Sequence, residues 1–185
     1  RSLLEQWKIQ PAVSRHLPDD AAVLLNNIKQ QLHHNIIILS GAVSAGDADF
    51  VPEVLMKAGA KKIFHKVAIR PGKPIWFGKF EKGPVVFALP GNPFSTFVTF
   101  KLFIESFLRK SFGLALASPV YLPFNGSRIK KTNLDEFFPV SIFGNPAAAI
   151  PVGFNTSGDI TAVMHADALA MQPIEKPELK NGDIV

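Results

Sequence analysis

Two short apolar runs constrain this chain more than anything else in it: Ile36-Ile37-Ile38-Leu39 and Val85-Val86-Phe87-Ala88-Leu89. A strand with one wet face alternates apolar and polar residues. An unbroken run of β-branched and large apolar residues reads instead as a strand covered on both faces. Around these runs the pattern switches to helical spacing. Ala21, Leu24, Leu25, Ile28 and Leu32 recur at helical intervals after Leu17-Pro18-Asp19-Asp20, whose acidic residues suit the positive end of a helix dipole. Val51 to Ala58 reads as a second helix closed by Gly59. Asn92-Pro93 opens a third, with Asn as cap and Pro at the first helical position, running to about Lys110. Lys61 to Ile69 reads as a strand that turns at Arg70-Pro71-Gly72-Lys73-Pro74 into Ile75 to Phe80, and Glu81-Lys82-Gly83 is a further turn. This order predicts an α/β fold of three αβα layers, a mostly parallel sheet with helices on both faces.

The texture changes near Gly113 to Pro119. Beyond it lie only short apolar runs broken by Pro, Gly and Asn: Val120-Tyr121-Leu122, Val140-Ser141-Ile142-Phe143 and Ala162-Val163-Met164. They predict a small all-β C-terminal domain, with boundaries at 1–115 and 118–185. The helix from Phe94 to Leu108 carries nine large apolar residues, more than one stripe, so it is deeply buried or packs on a partner.

Composition narrows the function. Hydrophobic residues make up 47% and charged residues 19%, below the roughly 25% usual for globular domains, which predicts a substantial core and excludes global disorder. With no Cys there is no disulfide framework, thiolate metal site or Cys nucleophile. No apolar run nears the roughly 20 residues of a membrane span. The opening Arg1-Ser2-Leu3-Leu4-Glu5 is interrupted too early for a signal peptide, and without an initiator Met a fragment is expected. A net charge of +5 is mild and suits small anionic ligands at least as well as nucleic acid. Basic and aromatic residues form no nucleic-acid stripe, and the 16 Phe read as core.

Three loops follow predicted strand ends, where open α/β sheets bind ligands. The first is Ser40-Gly41-Ala42-Val43-Ser44-Ala45-Gly46-Asp47-Ala48-Asp49. Its glycines let a backbone approach a ligand, its serines offer hydroxyls, and Asp47 and Asp49 can coordinate a hard cation such as Mg²⁺. The alternative is that Asp49 only caps the next helix and the glycines only turn the chain. In the second loop, Arg70 and Lys73 flank a stiff Pro-Gly turn, with Lys66 four residues earlier, so two cations can point at one oxyanion; otherwise it is a solvated hairpin tip. The third, Leu89-Pro90-Gly91-Asn92-Pro93-Phe94-Ser95, joins a buried strand to a helix, where free N–H groups and the Ser95 hydroxyl favour an anion, or else form a stiff structural turn. Together the three favour a phosphorylated, anionic ligand. Neither a Walker loop nor a dinucleotide fingerprint is present. The five histidines show no zinc spacing and read as ordinary surface or satisfied side chains, and no serine-hydrolase elbow occurs.

The three loops together resemble the molybdopterin molybdenumtransferase family (MoeA and the gephyrin E domain). The first resembles its Ser-Gly-Gly-Val-Ser-x-Gly-Asp-x-Asp loop. Val67-Ala68-Ile69-Arg70-Pro71-Gly72-Lys73-Pro74 resembles its Lys/Arg-Pro-Gly-Lys-Pro segment, and Leu89 to Ser95 its Leu-Pro-Gly-Asn-Pro-x-Ser turn. Ser157-Gly158-Asp159-Ile160 is similar to a Ser-Gly element of its last domain. The resemblance implies a molybdopterin-binding αβα domain followed by a β domain, in a cytoplasmic, homodimeric enzyme. It inserts molybdate into adenylylated molybdopterin and releases AMP with help from a divalent cation. By position it implies that Ser40, Gly41, Ser44, Gly46 and Asp47 bind the pterin nucleotide, with Asp47 and Asp49 on Mg²⁺. Asp49, Lys66, Arg70 and Lys73 would be catalytic. Ser95 and Ser157 would join the cations around the oxyanion, with Pro90 and Pro93 shaping that wall.

Three departures from the family pattern stand out. Ala42 occupies the place of its second glycine, and Phe137-Phe138-Pro139 that of a Phe-x-Arg element. The family's opening strand, which ends in Thr-Gly-Asp-Glu, has no counterpart, which predicts an unpaired sheet edge beside the site and a chain inactive alone. Two other readings stay open: a molybdopterin adenylyltransferase, which needs no β domain, and a non-catalytic dimerisation or scaffold module, which Ala42, Pro139 and the Phe-rich helix suit.

Overall fold

The computed structural model describes residues 2–43, 49–153 and 161–185. After a short α1 (Ser2–Glu5), the chain forms α2 (Ala21–Gln30) where the acidic start signal predicts it. Asp20 Oδ1 accepts the N–H groups of Ala22 at 2.8 Å and Val23 at 2.9 Å, satisfying two of the donors that a helix start leaves open. Next come β1 (Ile36–Val43), α3 (Val51–Lys57), β2 (Lys61–His65), β3 (Ile69–Arg70), β4 (Trp76–Lys79) and β5 (Val85–Pro90).

Four of these strands form one sheet in the order β1-β5-β4-β2. It is mixed rather than mostly parallel: β1 and β5 run parallel, while β5–β4 and β4–β2 are antiparallel. The tight turn at Glu81-Lys82-Gly83 is the reason, because a parallel neighbour needs a crossover of a dozen or more residues and so short a turn permits only a hairpin. The predicted strand over 61–69 also breaks. Lys66 takes a positive φ of 64°, its N–H bonds Ile75 O at 3.0 Å, and Val67 N–H bonds Lys73 O at 2.9 Å, so the chain turns away and β3 leaves this sheet.

The two apolar runs behave as their composition predicts. Val86 and Ala88 pack with Trp76 and with Leu55 of α3 on one face, while Phe87 and Leu89 pack with Ile75 and Ile104 on the other. The helix of that second face is continuous from Pro93 to Ser111: α4 (Pro93–Thr99), a π-helical stretch over Phe100–Ile104, and α5 (Glu105–Ser111). In the widened stretch Glu105 N–H bonds Phe100 O. Phe94, Val98, Phe100, Ile104 and Leu108 are buried, and Phe97, Leu102, Phe103 and Phe107 half-buried, so the chain itself covers most of this helix.

The C-terminal region contains β6 (Arg128–Ile129), β7 (Asp135–Phe143), β8 (Ala148–Pro151), β9 (Ala168–Gln172) and β10 (Glu178–Leu179). The long β7 is antiparallel to β8 and β9 and parallel to β3, so Ile69–Arg70 belongs to this second sheet. Two apolar runs expected as strands differ. Ala162-Val163-Met164 lies in a short helix, α6 (Thr161–Met164), since Ala and Met favour helix and three residues cannot set a period. Val120-Tyr121-Leu122 forms no strand, and Leu122 instead exchanges two backbone bonds of 3.0 Å with Val185.

Beside an apolar core around Phe124, Phe138 and Leu179 lies a buried polar network. Glu136 accepts from Arg128 Nη2 and from Thr132 Oγ1, each at 2.6 Å. The Arg128 guanidinium also donates to Gln172 Oε1 and stacks 4.4 Å from the Phe138 ring centre. Burial alone pushes the Glu136 carboxyl upward, but the bonds from Thr132 and Arg128 outweigh it and hold the group below its ordinary range.

Candidate functional site

Strand directions bring the three loops to one place. Because β2 is antiparallel to β4 and β4 to β5, β2 runs in the same sense as β5 and β1. The C-terminal ends of β1, β2 and β5 therefore share one edge of the sheet, where α/β sheets form their ligand crevices.

Contacts between the loops are close. β1 and β5 stay in register to Ser40↔Leu89, then slip so that Val43 faces Pro90. The extra residues at Gly41 and Ala42 form a bulge, and Gly41 adopts φ +75° to make it. A Cβ built on Gly91 would stand 3.3 Å from Gly41 Cα, so the first and third loops touch backbone to backbone. The second loop leans on the third loop's helix. Gly72 has φ +112°, and a Cβ there would lie 2.6 Å from Thr99 Cγ2, one turn beyond Ser95. Thr96 braces the third loop by donating its hydroxyl to Pro90 O at 2.5 Å and Asn92 O at 3.1 Å. Asn92 sits at the predicted cap position but makes no side-chain cap bond, and the Thr96 hydroxyl serves the turn instead.

At this edge a cleft of about 630 Å³ is lined by Ser40, Gly41, Gly91 and Pro93, together with Val163 and Met164 of α6. That is within the range of small-molecule sites. Pro90 and Ser95 are buried under the third loop, while Lys66, Arg70 and Lys73 are exposed on the second and do not line the cleft. Asp49 is half-buried and accepts the N–H of Val51 at 3.3 Å, one residue before Phe50, which holds the cap position of α3. Ser44, Gly46, Asp47 and Ser157 lie outside the described residues.

Two residues go beyond the sequence reading. Gly91 stands in the quoted third loop, and its role is the close approach to Gly41. His65, read from spacing as ordinary, has a buried Nε2 without a hydrogen-bond partner. Its burial first, and then the charges of Lys66 and Lys62, lower its pKa, with Asp49 opposing them. It closes the observed β2 just before Lys66, whereas the sequence pattern runs that strand on to Ile69 and gives no signal for it.

A family described as probable molybdopterin binding domain matches residues 1–110. The chain belongs to that family. Over its whole length it is 29% identical to a molybdopterin molybdenumtransferase of Staphylococcus aureus and 30% identical to one of Staphylococcus epidermidis, covering 45% of each. It thus spans about half the length of the curated relatives it matches. Among solved structures, a molybdopterin biosynthesis MoeA protein from Pyrococcus horikoshii superposes with a TM-score of 0.75 at 22% identity, over 100% of this chain and 43% of that one. A molybdenum cofactor biosynthesis protein from Pyrococcus furiosus gives 0.73 at 22%, over 100% and 60%. These two share the fold of this molybdopterin-binding-domain member. No helix among its described residues is long and apolar enough to cross a membrane.

Proposed function

We propose that this chain is the ligand-holding half of a molybdopterin molybdenumtransferase, at whose sheet edge molybdate enters the dithiolene of adenylylated molybdopterin and AMP leaves. The single observation that carries this reading is the meeting of the three loops at one edge, with Gly41 against Gly91 and Gly72 against Thr99. Family membership and the names of the relatives support the chemistry.

In this reading the wall of Ser40, Gly41, Ser44, Gly46 and Asp47 receives the pterin nucleotide, because a bulged, glycine-bearing backbone lets a flat ligand lie close. Lys66, Arg70 and Lys73 supply fixed positive charge for the phosphate and the molybdate dianion. Ser95 and Ser157 add hydroxyl donors, and Pro90 and Pro93 keep that wall rigid. Among the described residues no three His, Asp or Glu side chains gather into a cation cage. The oxygen donors of Asp49 and Asp47 nevertheless fit Mg²⁺, which keeps several waters and takes one or two carboxylates plus ligand phosphate. Such an ion would neutralise charge on the phosphate as AMP departs.

We place this chemistry in the cytoplasm and in a homodimer, with residues 1–115 and 118–185 as two domains, and expect the 185-residue chain to be inactive alone. Calorimetric titration of molybdate into the full-length protein tests the site. Arg70→Ala/Lys73→Ala is expected to weaken binding by about a hundredfold or more, from two charge-assisted bonds worth roughly 1.5–3 kcal/mol each. Unchanged binding in that variant overturns the assignment, as AMP release by the 185-residue chain overturns its inactivity. Sedimentation of the full-length protein as a monomer would remove the dimer.

A further inference from the structure

Two buried side-chain nitrogens stand without a protein partner on the same stretch of sheet: His65 Nε2 and Trp76 Nε1. Trp76 is fully buried. The two residues are cross-strand partners in the antiparallel pair β2–β4. Directly opposite residues share one face, with Cβ atoms about 4.5–5.5 Å apart. That face is identifiable. Trp76 packs with Val51, Val54 and Leu55 of α3, whereas Phe64 and Phe77 pack on the opposite side, so alternation along β2 puts His65 on the α3 side. Asp49 lies just before α3, close enough for its charge to act on the imidazole, and Lys66 directly follows His65.

Chemistry restricts what can satisfy this pair. An indole N–H can only donate, and a neutral imidazole has one donor and one acceptor nitrogen. Leaving a buried polar group unpaired costs about 1–3 kcal/mol. A single water can accept from Trp76 Nε1–H and donate to His65 Nε2, which meets both needs at once.

We propose that His65 is a positioning residue of the site: a buried water anchored by Trp76 Nε1 holds its Nε2 as an acceptor and leaves the Nδ1–H to orient the Asp49 carboxylate. The orienting role rests on the reading that Asp49 serves a cation, whereas the tautomer does not.

The test uses the full-length protein labelled with ¹⁵N. Long-range ¹H–¹⁵N spectra, with His65 assigned by its loss in His65→Asn, are expected to show the Nδ1–H tautomer. Trp76→Phe keeps an aromatic ring but removes the anchoring N–H, and should shift His65 toward Nε2–H. An Nε2–H tautomer in the wild type, or no change in a folded Trp76→Phe, overturns the proposal.

Mn²⁺ binding followed by paramagnetic resonance tests the second half without any activity assay. His65→Leu should weaken Mn²⁺ about tenfold, a typical loss for an outer-shell partner. His65→Asn keeps an N–H near the Nδ1 position and should restore most of the affinity. Equal affinity in both variants overturns the positioning role. If Asp49→Asn leaves Mn²⁺ binding unchanged, the cation reading has failed, and the tautomer result alone then decides for or against the water-held imidazole.

Discussion

The two sheets of this protein cohere by different means. The first is an apolar layer clamped between helices: β5 buries Val86 and Ala88 on one face and Phe87 and Leu89 on the other. The second has a smaller apolar core and brings charge inside, with Glu136 at 4% exposure bonded to Arg128 and Thr132. Apolar burial is non-directional and indifferent to pH, while a buried ion pair fails when either partner is lost. Where the two meet, β3 places Arg70 opposite Glu136 in the second sheet and aims the following Pro-Gly turn at α4 of the first. The three loops belong to the apolar sheet, but one of them is fastened to the charged one.

The largest expected effect breaks the apolar side. Phe94 is fully buried at the start of α4, directly behind the third loop. Phe94→Ala should destabilise the protein by about 3–5 kcal/mol, the usual cost of truncating a core aromatic. Urea unfolding at pH 5 and pH 8 should return the same loss, and a loss that varies with pH would mean this layer is not held by apolar packing.

The charged side should respond to pH, and its two partners should respond differently. With the Glu136 carboxyl held below its ordinary value of 4.5, the native state stabilises the charged form. That contribution is fully present above the unfolded pKa and is lost as pH falls through the lower folded value. Arg128→Ala leaves a buried carboxylate unpaired, at roughly 3 kcal/mol near neutral pH, but Glu136 can take up a proton, so the deficit should shrink on acidification. Glu136→Gln leaves a guanidinium that cannot neutralise itself. Its cost, also roughly 3 kcal/mol, should hold down to the ordinary value of 4.5 and fade only as the wild-type carboxyl protonates below it. The Arg128→Ala deficit should begin to fade at higher pH, because burial without its partner raises the carboxyl. Parallel pH profiles for the two variants would show that Glu136 does not carry the charge dependence.

What the sequence disclosed follows the same division. Runs such as Val85 to Leu89 announce a doubly buried strand because every position obeys one rule, and the three loops are legible because glycines and prolines fix backbone locally. Strand direction was less legible. The Glu81-Lys82-Gly83 turn demands a hairpin, yet the alternation of strands and helices suggested a mostly parallel sheet. Lys66 hides its positive φ, since a non-glycine residue gives no sign of that conformation. The Arg128–Glu136 pair spans only eight positions but depends on β7 lying beside β3 and β9, a tertiary fact that no local pattern encodes. His65 reads as ordinary because an unsatisfied nitrogen is a property of packing and leaves no trace in spacing.

The smallest effect sharpens the contrast between the sheets. Asp20 is acidic too, but it works at the start of α2 by accepting two backbone N–H bonds through one oxygen. Asn offers the same acceptor without the charge and is as good a cap. Asp20→Asn should therefore change stability by only a few tenths of a kcal/mol, while Asp20→Ala, which removes the acceptor, should cost about 1 kcal/mol. At Glu136 the same loss of charge with similar shape should be severe, because there the charge offsets a buried guanidinium. If Asp20→Asn proves as damaging as Asp20→Ala in thermal unfolding, then the first sheet's helices depend on charge after all, and the difference between the two halves is one of degree.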